Sequence, residues 1–259
     1  MQARPEDAVG AADSVHVWCA SSAQQGWAEE RLPLLSVQER AALAGLPPNS
    51  PQAATYALGR ALRRHAVSTL TQSPPHTWTF DPDARGRPCA RGPGAAPPDV
   101  SLAHTADTVV VAVRMPGAGR VGIDVEPAMR LHGHTQRTAR LMASICTPKE
   151  RAALEALDVT ARGHALVQIW TLKEATLKAL GVGLRGPWRA VSTAVPLGAL
   201  GRSPVRWAIE SLDMTLLYGP TAFVLRNALV RAPAEHLTVA MAVEGKGAVP
   251  VHWHALPLP

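Results

Sequence analysis

Hydrophobic residues change their spacing several times along the chain, and each change marks an element. From Ala53 to Leu70 (AATYALGRALRRHAVSTL), Tyr56, Leu58, Leu62, Ala66, Val67 and Leu70 recur at roughly helical spacing. They predict an amphipathic helix with Arg60, Arg63 and Arg64 toward one edge. Just before it, Arg31 to Gly45 predicts a turn and a short helix, with Ser36 as N-cap and Glu39 completing a capping box. Arg85 to Pro98 (RGRPCARGPGAAPP) is too rich in Gly and Pro for a regular element and reads as a loop. Val100 to His104 and Thr108 to Arg114 predict two strands around a turn at Ala106 and Asp107. Pro116 to Gly119 breaks the chain, and Val121 to Glu126 (VGIDVE) resumes it as a cleanly alternating strand. Three helices should follow: Thr135 to Ser144, Thr147 to Leu157, and a longer one through IWTLKEATLKALGVGL that Gly181 stops. PVRWAIE, TAFVLRN and HLTVAMAVE predict further strands, and the Pro-rich tail from Gly247 is expected to be loose. The order gives an α+β fold, divided at the Pro116 to Gly119 break into residues 1–116, 117–246 and the tail 247–259.

Composition narrows the class. With 47% apolar residues among 259, the chain can fill a core, and no run is long and apolar enough for a membrane span. The N-terminus lacks the pattern of a signal peptide, so a cytoplasmic protein is expected. Cys19, Cys89 and Cys146 are odd in number and far apart, which fits reduced thiols better than a disulfide framework or zinc site. A net charge of +6 suits an anionic ligand or partner. That charge is carried by Arg; the only lysines are Lys149, Lys173, Lys178 and Lys246, and a Lys in such a chain marks a place for a compact point charge.

Two of these lysines lie in the opening of possible chemistry. Alternation in VGIDVE puts Gly122, Asp124 and Glu126 on one strand face. Paired carboxylates repel unless a cation lies between them, and their hard oxygens favour Mg²⁺ or Mn²⁺; the plainer alternative is a solvated strand face. On the long helix, Leu166, Ile169, Trp170, Leu177 and Leu180 form an apolar arc that takes in Lys173, with Glu174 at its rim. An exposed i, i+4 pair of Glu174 with Lys178 would explain Lys178 but not Lys173. Asp124, Glu126 and Glu174 together offer three carboxylates to a divalent ion beside Lys173 and Lys178, the combination that phosphoryl transfer needs.

GRPC at Gly86 to Cys89, SLAHT at Ser101 to Thr105, VGIDVE at Val121 to Glu126 and WTLKEATLKALGVGL at Trp170 to Leu184 resemble the 4′-phosphopantetheinyl transferases, specifically the larger, single-chain, surfactin-synthetase-activating type. The likeness runs from about Arg31 to Glu244. It implies transfer of the phosphopantetheine arm of coenzyme A to a serine of an apo acyl or peptidyl carrier protein, with release of 3′,5′-ADP. It also implies two similar α/β halves related by a pseudo-twofold axis, coenzyme A lying between them with its adenine and 3′-phosphate on the N-terminal side. On that pattern Asp124, Glu126 and Glu174 hold Mg²⁺, Lys178 contacts the phosphates and helps the leaving group, and Lys173 sits close by. Glu150 is the candidate general base, or else only a first-turn helix acid. His104 would touch a coenzyme A phosphate, Gly86, Arg87 and Pro88 would form the loop beside the adenine, and Arg60 and Arg64 are candidates for the 3′-phosphate, a solvated helix face being the alternative. The chain departs from the pattern at Ala103, where Ser is frequent, and at Cys89, where a bulkier residue is usual.

Three other readings compete. A different nucleotide phosphotransferase lacks support, since there is no G-x-x-x-x-G-K-[ST] loop. A non-catalytic module that binds coenzyme A or a carrier protein would have little use for the acid and lysine sets. A nucleic-acid binder would be expected to carry aromatic residues among clustered arginines, and here they are dispersed. His132, His134, His252 and His254 fall in apparent loops and read as solvated. A monomer without nucleic-acid or membrane partners is expected, and fatty acid, polyketide and nonribosomal peptide carriers all remain open.

Overall fold

A computed structural model of the chain describes residues 14–21, 25–84, 86–94, 96–183, 186–193, 205–212, 223–231, 236–245 and 249–256. The chain divides into two compact units, Met1–Val121 with Val249–Pro259, and Gly122–Ala248.

In the first unit the sheet has the order β11-β1-β5-β4, built from β1 (Val15–Ser21), β4 (Asp99–His104), β5 (Thr108–Arg114) and β11 (Val251–Ala255). β5 pairs antiparallel with β1 and β4, whereas β11 runs parallel to β1 from Val15↔Val251 to Cys19↔Ala255. Helices α1 (Gln25–Glu29), α2 (Val37–Ala44) and α3 (Pro51–Thr71) accompany this sheet. α3 presses Leu58, Leu62, Ala66 and Val67 onto Trp18, Val109, Val111 and Val113. A hairpin of β2 (Thr79–Pro82) and β3 (Pro88–Arg91) completes the unit.

The sequence expectations hold for α2, whose Ser36 and Glu39 form the capping box, and for α3, capped by Ser50. Elsewhere the structure corrects them. Arg85 to Pro98 is not all loop: Gly86 takes a φ of 86°, and the turn lets Pro88 to Arg91 pair with β2. The tail is not loose, because β1 offers it an edge and Val251 to Ala255 take it. Arg63 and Arg64 do not lie at a solvated edge either; they are 4% and 1% exposed. Both form ion pairs with Glu39, Arg64 at 2.6 Å, and Arg60 approaches the same carboxylate at 3.7 Å. Arg60 stacks over Tyr56 and Arg63 over Phe80. Burial raises Glu39, but hydrogen bonds from Arg64 and the Ser36 amide, with the charges of Arg63 and Arg64, bring it below its ordinary value. Burial and the nearby Arg60 push Arg63 down to about 10, which leaves it charged at neutral pH.

β11 also moves His252 and His254 out of their expected loops. Their imidazoles stack on His16 at 4.9 and 5.2 Å, His16 Nδ1 meets His254 Nε2 at 2.9 Å, and Ser14 Oγ meets His16 Nε2 at 3.0 Å. Burial, then the charges of His254 and His252, lower His16 from 6.5 to about 4. Between those values the unfolded chain binds the additional proton, so stability is kept above about pH 6.5 and lost as pH falls toward 4. We expect the wild-type chain to lose about 2 to 3 kcal/mol between pH 7 and 4.5 by urea denaturation, and His16→Asn to lose much less. Equal losses in the two chains would acquit the imidazole.

The second unit holds the sheet β6-β10-β9-β8-β7, from β6 (Val121–Pro127), β7 (Val191–Thr193), β8 (Val205–Leu212), β9 (Phe223–Arg231) and β10 (His236–Glu244). α6 (Val159–Leu180) packs Leu172, Ala175, Leu177, Ala179 and Leu180 against Ala240, Ala242 and Val191. Its other side meets α4 (Thr135–Ile145) and α5 (Pro148–Glu155) through Leu166, Ile169, Met142, Ile145 and Leu154. α6 starts on an Asp158 cap and ends at Gly181, whose φ of 69° is the left-handed stop the sequence announced. Sheet on one side and helices on the other bury the stretch Thr171 to Leu177 throughout, where the sequence promised only a half-buried arc. Among the described residues no helix is long and apolar enough to cross a membrane, and Cys19, Cys89 and Cys146 are unpaired.

Candidate functional site

The site begins with a close approach. A Cβ on Gly122 would lie 1.9 Å from the Ala175 carbonyl oxygen, so only glycine lets β6 run this near to α6. The approach places the next outward residue of β6, Asp124, against Lys178, whose Nζ donates to Asp124 Oδ1 at 2.7 Å and to the Ile123 carbonyl at 3.1 Å. An exposed helix pair between Glu174 and Lys178 is therefore not the arrangement found; Lys178 reaches across to the strand. Nor is the acid pair on a solvated strand face, since Asp124 is 7% exposed.

Glu174, also buried, completes an excess of negative charge. Burial first, then the charges of Asp124 and Glu126, push its carboxyl up to about 7, against the opposing pull of Lys178. Burial raises Asp124 as well, with Lys178 opposing it and Glu126 adding to the rise. Asp124 Oδ2 is buried and finds no hydrogen-bond partner among the described residues. Glu126 is turned elsewhere: its Oε1 accepts from Trp170 Nε1 at 3.2 Å and pairs with Arg130 Nη1.

Hard oxygen donors, mutual repulsion and an orphaned buried carboxylate oxygen fit a divalent cation chemically. The side chains are not converged on one point, however, and among the described residues no group of three or more His, Cys, Asp or Glu is placed to ligate a metal. Protein cations occupy the carboxylates instead, Lys178 on Asp124 and Arg130 on Glu126.

Two predicted catalytic residues take other places. Lys173 is fully buried and spends its ammonium on Glu150 Oε2 at 2.7 Å and the carbonyls of Ile145 and Trp188 at 2.7 and 3.1 Å. Burial lowers Lys173 and the charge of Glu150 opposes that. Glu150 is equally engaged: Oε2 accepts from the Thr147 amide as well as from Lys173, and Oε1 accepts from the amide and hydroxyl of Thr193, each at 2.8 Å. No oxygen is left to take a proton from an incoming hydroxyl. The capping box of α5 holds Glu150 in place, so the first-turn acid is the reading the geometry favours, extended into a buried ion pair.

In the first unit, His104 lies exposed at the end of β4, its Nδ1 against the Thr105 carbonyl at 3.1 Å. Arg87, between Gly86 and Pro88, binds Asp99 at 2.6 Å and the Val121 carbonyl at 3.0 Å. Arg60 keeps a side chain 25% exposed, whereas Arg64 is enclosed by Glu39 and cannot reach a surface phosphate as placed.

The sequence reading took Trp170 only as part of an apolar arc and missed Arg130 and the residues around it. Arg130, Leu131, Arg137, Arg140, Leu141, Ser144, Val167 and Trp170 line a cavity of about 410 Å³, and Trp170 is held by stacking on Trp188 at 5.0 Å. A signal existed in MRLHGHTQRTARLM, where arginines at 130, 137 and 140 accompany Leu131 and Leu141.

What fold and site define, then, is an α+β chain with an acid-and-lysine centre on a strand–helix pair. The model of the 4′-phosphopantetheinyl transferase superfamily matches residues 120–211, which span that pair. Holo-[acyl-carrier-protein] synthase of Dechloromonas aromatica (strain RCB) is 31% identical over 137 residues, 52% of this chain and 97% of that protein. Holo-[acyl-carrier-protein] synthase of Chloroflexus aggregans (strain MD-66 / DSM 9485) is 39% identical over 66 residues, 25% of this chain and 47% of that protein, so the chain spans about half of this second relative. The chain belongs to the 4′-phosphopantetheinyl transferase superfamily.

Proposed function

We propose that the chain transfers the 4′-phosphopantetheine arm of coenzyme A to a serine of an apo acyl or peptidyl carrier protein, releasing 3′,5′-ADP. The observation that carries this reading is the buried Asp124, paired with Lys178, with Glu174 pushed up to about 7 beside it, a centre short of positive charge within the residues that match the superfamily model. In the reaction the serine oxygen forms a bond to the phosphorus that bears the pantetheine arm and gives up its proton to solvent. The bridging P–O bond of the pyrophosphate breaks and its electrons leave with 3′,5′-ADP. Asp124, Glu174 and Glu126 would hold Mg²⁺ or Mn²⁺, which supplies charge neutralisation at the pyrophosphate. Lys178, with 30% of its side chain exposed, offers an ammonium to the phosphate oxygens. His104 and Arg60 are the candidates for other phosphates of coenzyme A, and the Gly86–Arg87–Pro88 turn for its adenine.

The carrier reading has its own support. Three arginines around an apolar floor of Leu131, Leu141 and Trp170 suit an acidic, amphipathic helix, and the chain as a whole carries +6. The surfactin-synthetase-activating type is favoured by length: the Dechloromonas synthase accounts for 52% of the chain, and the first unit, like the second, lays a long helix on a mainly antiparallel sheet.

A non-catalytic module for coenzyme A or a carrier protein is the second reading, and the pairing of the carboxylates with Lys178 and Arg130 is what favours it. One experiment separates the two. The chain, coenzyme A, Mg²⁺ and an apo carrier protein are incubated and the carrier is weighed. A gain of one phosphopantetheine is expected; an unchanged carrier with tight coenzyme A binding would establish the module.

A further inference from the structure

Three histidines that the proposed chemistry leaves unused meet on one face of the first unit. In β11 the side chains of His252 and His254 alternate with those of Val251 and Trp253, and the parallel register sets His252 beside His16 and His254 beside Trp18. His254 stacks on Trp18 at 4.3 Å besides its contacts with His16. His16 spends both ring nitrogens, on Ser14 and on His254, and is only 8% exposed. In the hydrogen bond between His16 and His254 one ring must accept, so the bond survives a proton on one imidazole but not on both. The charges around the stack add to the positive side. Arg31 and His254 act on His65 of α3, which burial and then these two charges lower; burial and then His252 lower His254. The acids of the neighbouring α1 segment are engaged elsewhere, Glu29 by Gln25 and Glu30 by Arg31. β5 sets Val113 and Val111 opposite His16 and Trp18, while Arg114 and Cys19 belong to the other face of the sheet.

Little else fastens β11. Among the described residues it pairs with β1 alone, His252 and Trp253 are exposed, and the buried apolar residues Val249 and Leu256 lie beyond its two ends. We propose that the imidazole stack is an acid-released clasp: protons on both His16 and His254 part β11 from β1 while the remainder of the first unit stays folded. In the closed sheet His16 is held down at about 4, and in the open one it regains its ordinary 6.5. The open form therefore binds the additional proton between those values, and opening becomes easier as pH falls from about 6.5 toward 4. Opening bares the β1 edge from Val15 to Cys19.

Hydrogen exchange of the intact chain provides the test. Amide protection is measured by mass spectrometry at about pH 7 and about pH 5 and corrected for the pH dependence of the exchange chemistry itself. From the His16 values alone, the peptide Val251 to Ala255 should lose about twentyfold in protection. Its exchange should scarcely respond to dilute urea, whereas that of Thr108 to Arg114 in β5 should quicken, because one strand opens ahead of the unit and exposes little surface. In the double variant His16→Asn, His254→Gln, amide side chains keep hydrogen-bonding groups at both places without titrating, and the loss should shrink to about twofold or less. The wild-type arm needs no substitution, so it decides even where a variant fails to fold. If β11 and β5 show equal protection and an equal urea response at the lower pH, acid unfolds the unit whole and the clasp is overturned. A wild-type loss below about threefold, or a double variant as acid-sensitive as wild type, would overturn it too.

Discussion

Asp124→Ala is expected to abolish phosphopantetheine transfer while leaving the chain folded. Asp124 is the carboxylate that meets Lys178 and, among the described residues, the one of the three acids with a buried oxygen lacking a hydrogen bond. Without it the centre loses the carboxylate that meets the ammonium, and a fall of two to three orders of magnitude, about that for removing one preorganised electrostatic contact, is the minimum expected. The fold should tolerate the change, because burial already raises the Asp124 carboxyl and removing it relieves that strain on the charged form. Lys178 keeps the Ile123 carbonyl and its access to water. Mass spectrometry of the carrier gives the rate and a thermal melt checks the fold. Near-normal transfer in a folded Asp124→Ala chain would return the acid pair to an ordinary strand face.

Lys173→Met should do the reverse and act on stability. The wild-type ammonium is wholly enclosed and satisfies Glu150 and two carbonyls from separate segments. Its removal leaves the Glu150 charge buried with only Thr147 and Thr193 as donors, and losing one partner of a buried pair costs about 3 to 5 kcal/mol. Urea denaturation should show that loss, and the double variant Lys173→Met, Glu150→Gln should recover a large part of it because no buried charge is then left unpaired. A single variant with the wild-type midpoint would remove the pair from any structural role.

These two variants mark where the sequence was legible. VGIDVE and WTLKEATLKALGVGL share local periodicity with the strand and helix they form, and the glycines at 122 and 181 serve the close approach and the stop. Spacing thus set Asp124 beside Glu126 on one strand and Glu174 beside Lys178 on one helix, while the meeting of that strand with that helix was implied by the family resemblance. Partners supplied from a distance could not. Nothing near Lys173 in the chain shows that Glu150, the Ile145 carbonyl and the Trp188 carbonyl will surround it, and a helical wheel of α3 cannot include Glu39 from α2. β3 and β11 were hidden for a related reason: each is short and lies among prolines, and each is a strand because another strand presents an edge.

The pairing of β11 with β1 has a consequence for biosynthesis. Residues of the second unit form one continuous span, so that unit can acquire its structure as soon as the span has left the ribosome. The first cannot close its sheet until Val251 to Ala255 have followed the whole of the second unit out, and in the interval β1 carries a bare edge. Assembly of this polypeptide should therefore finish where it started.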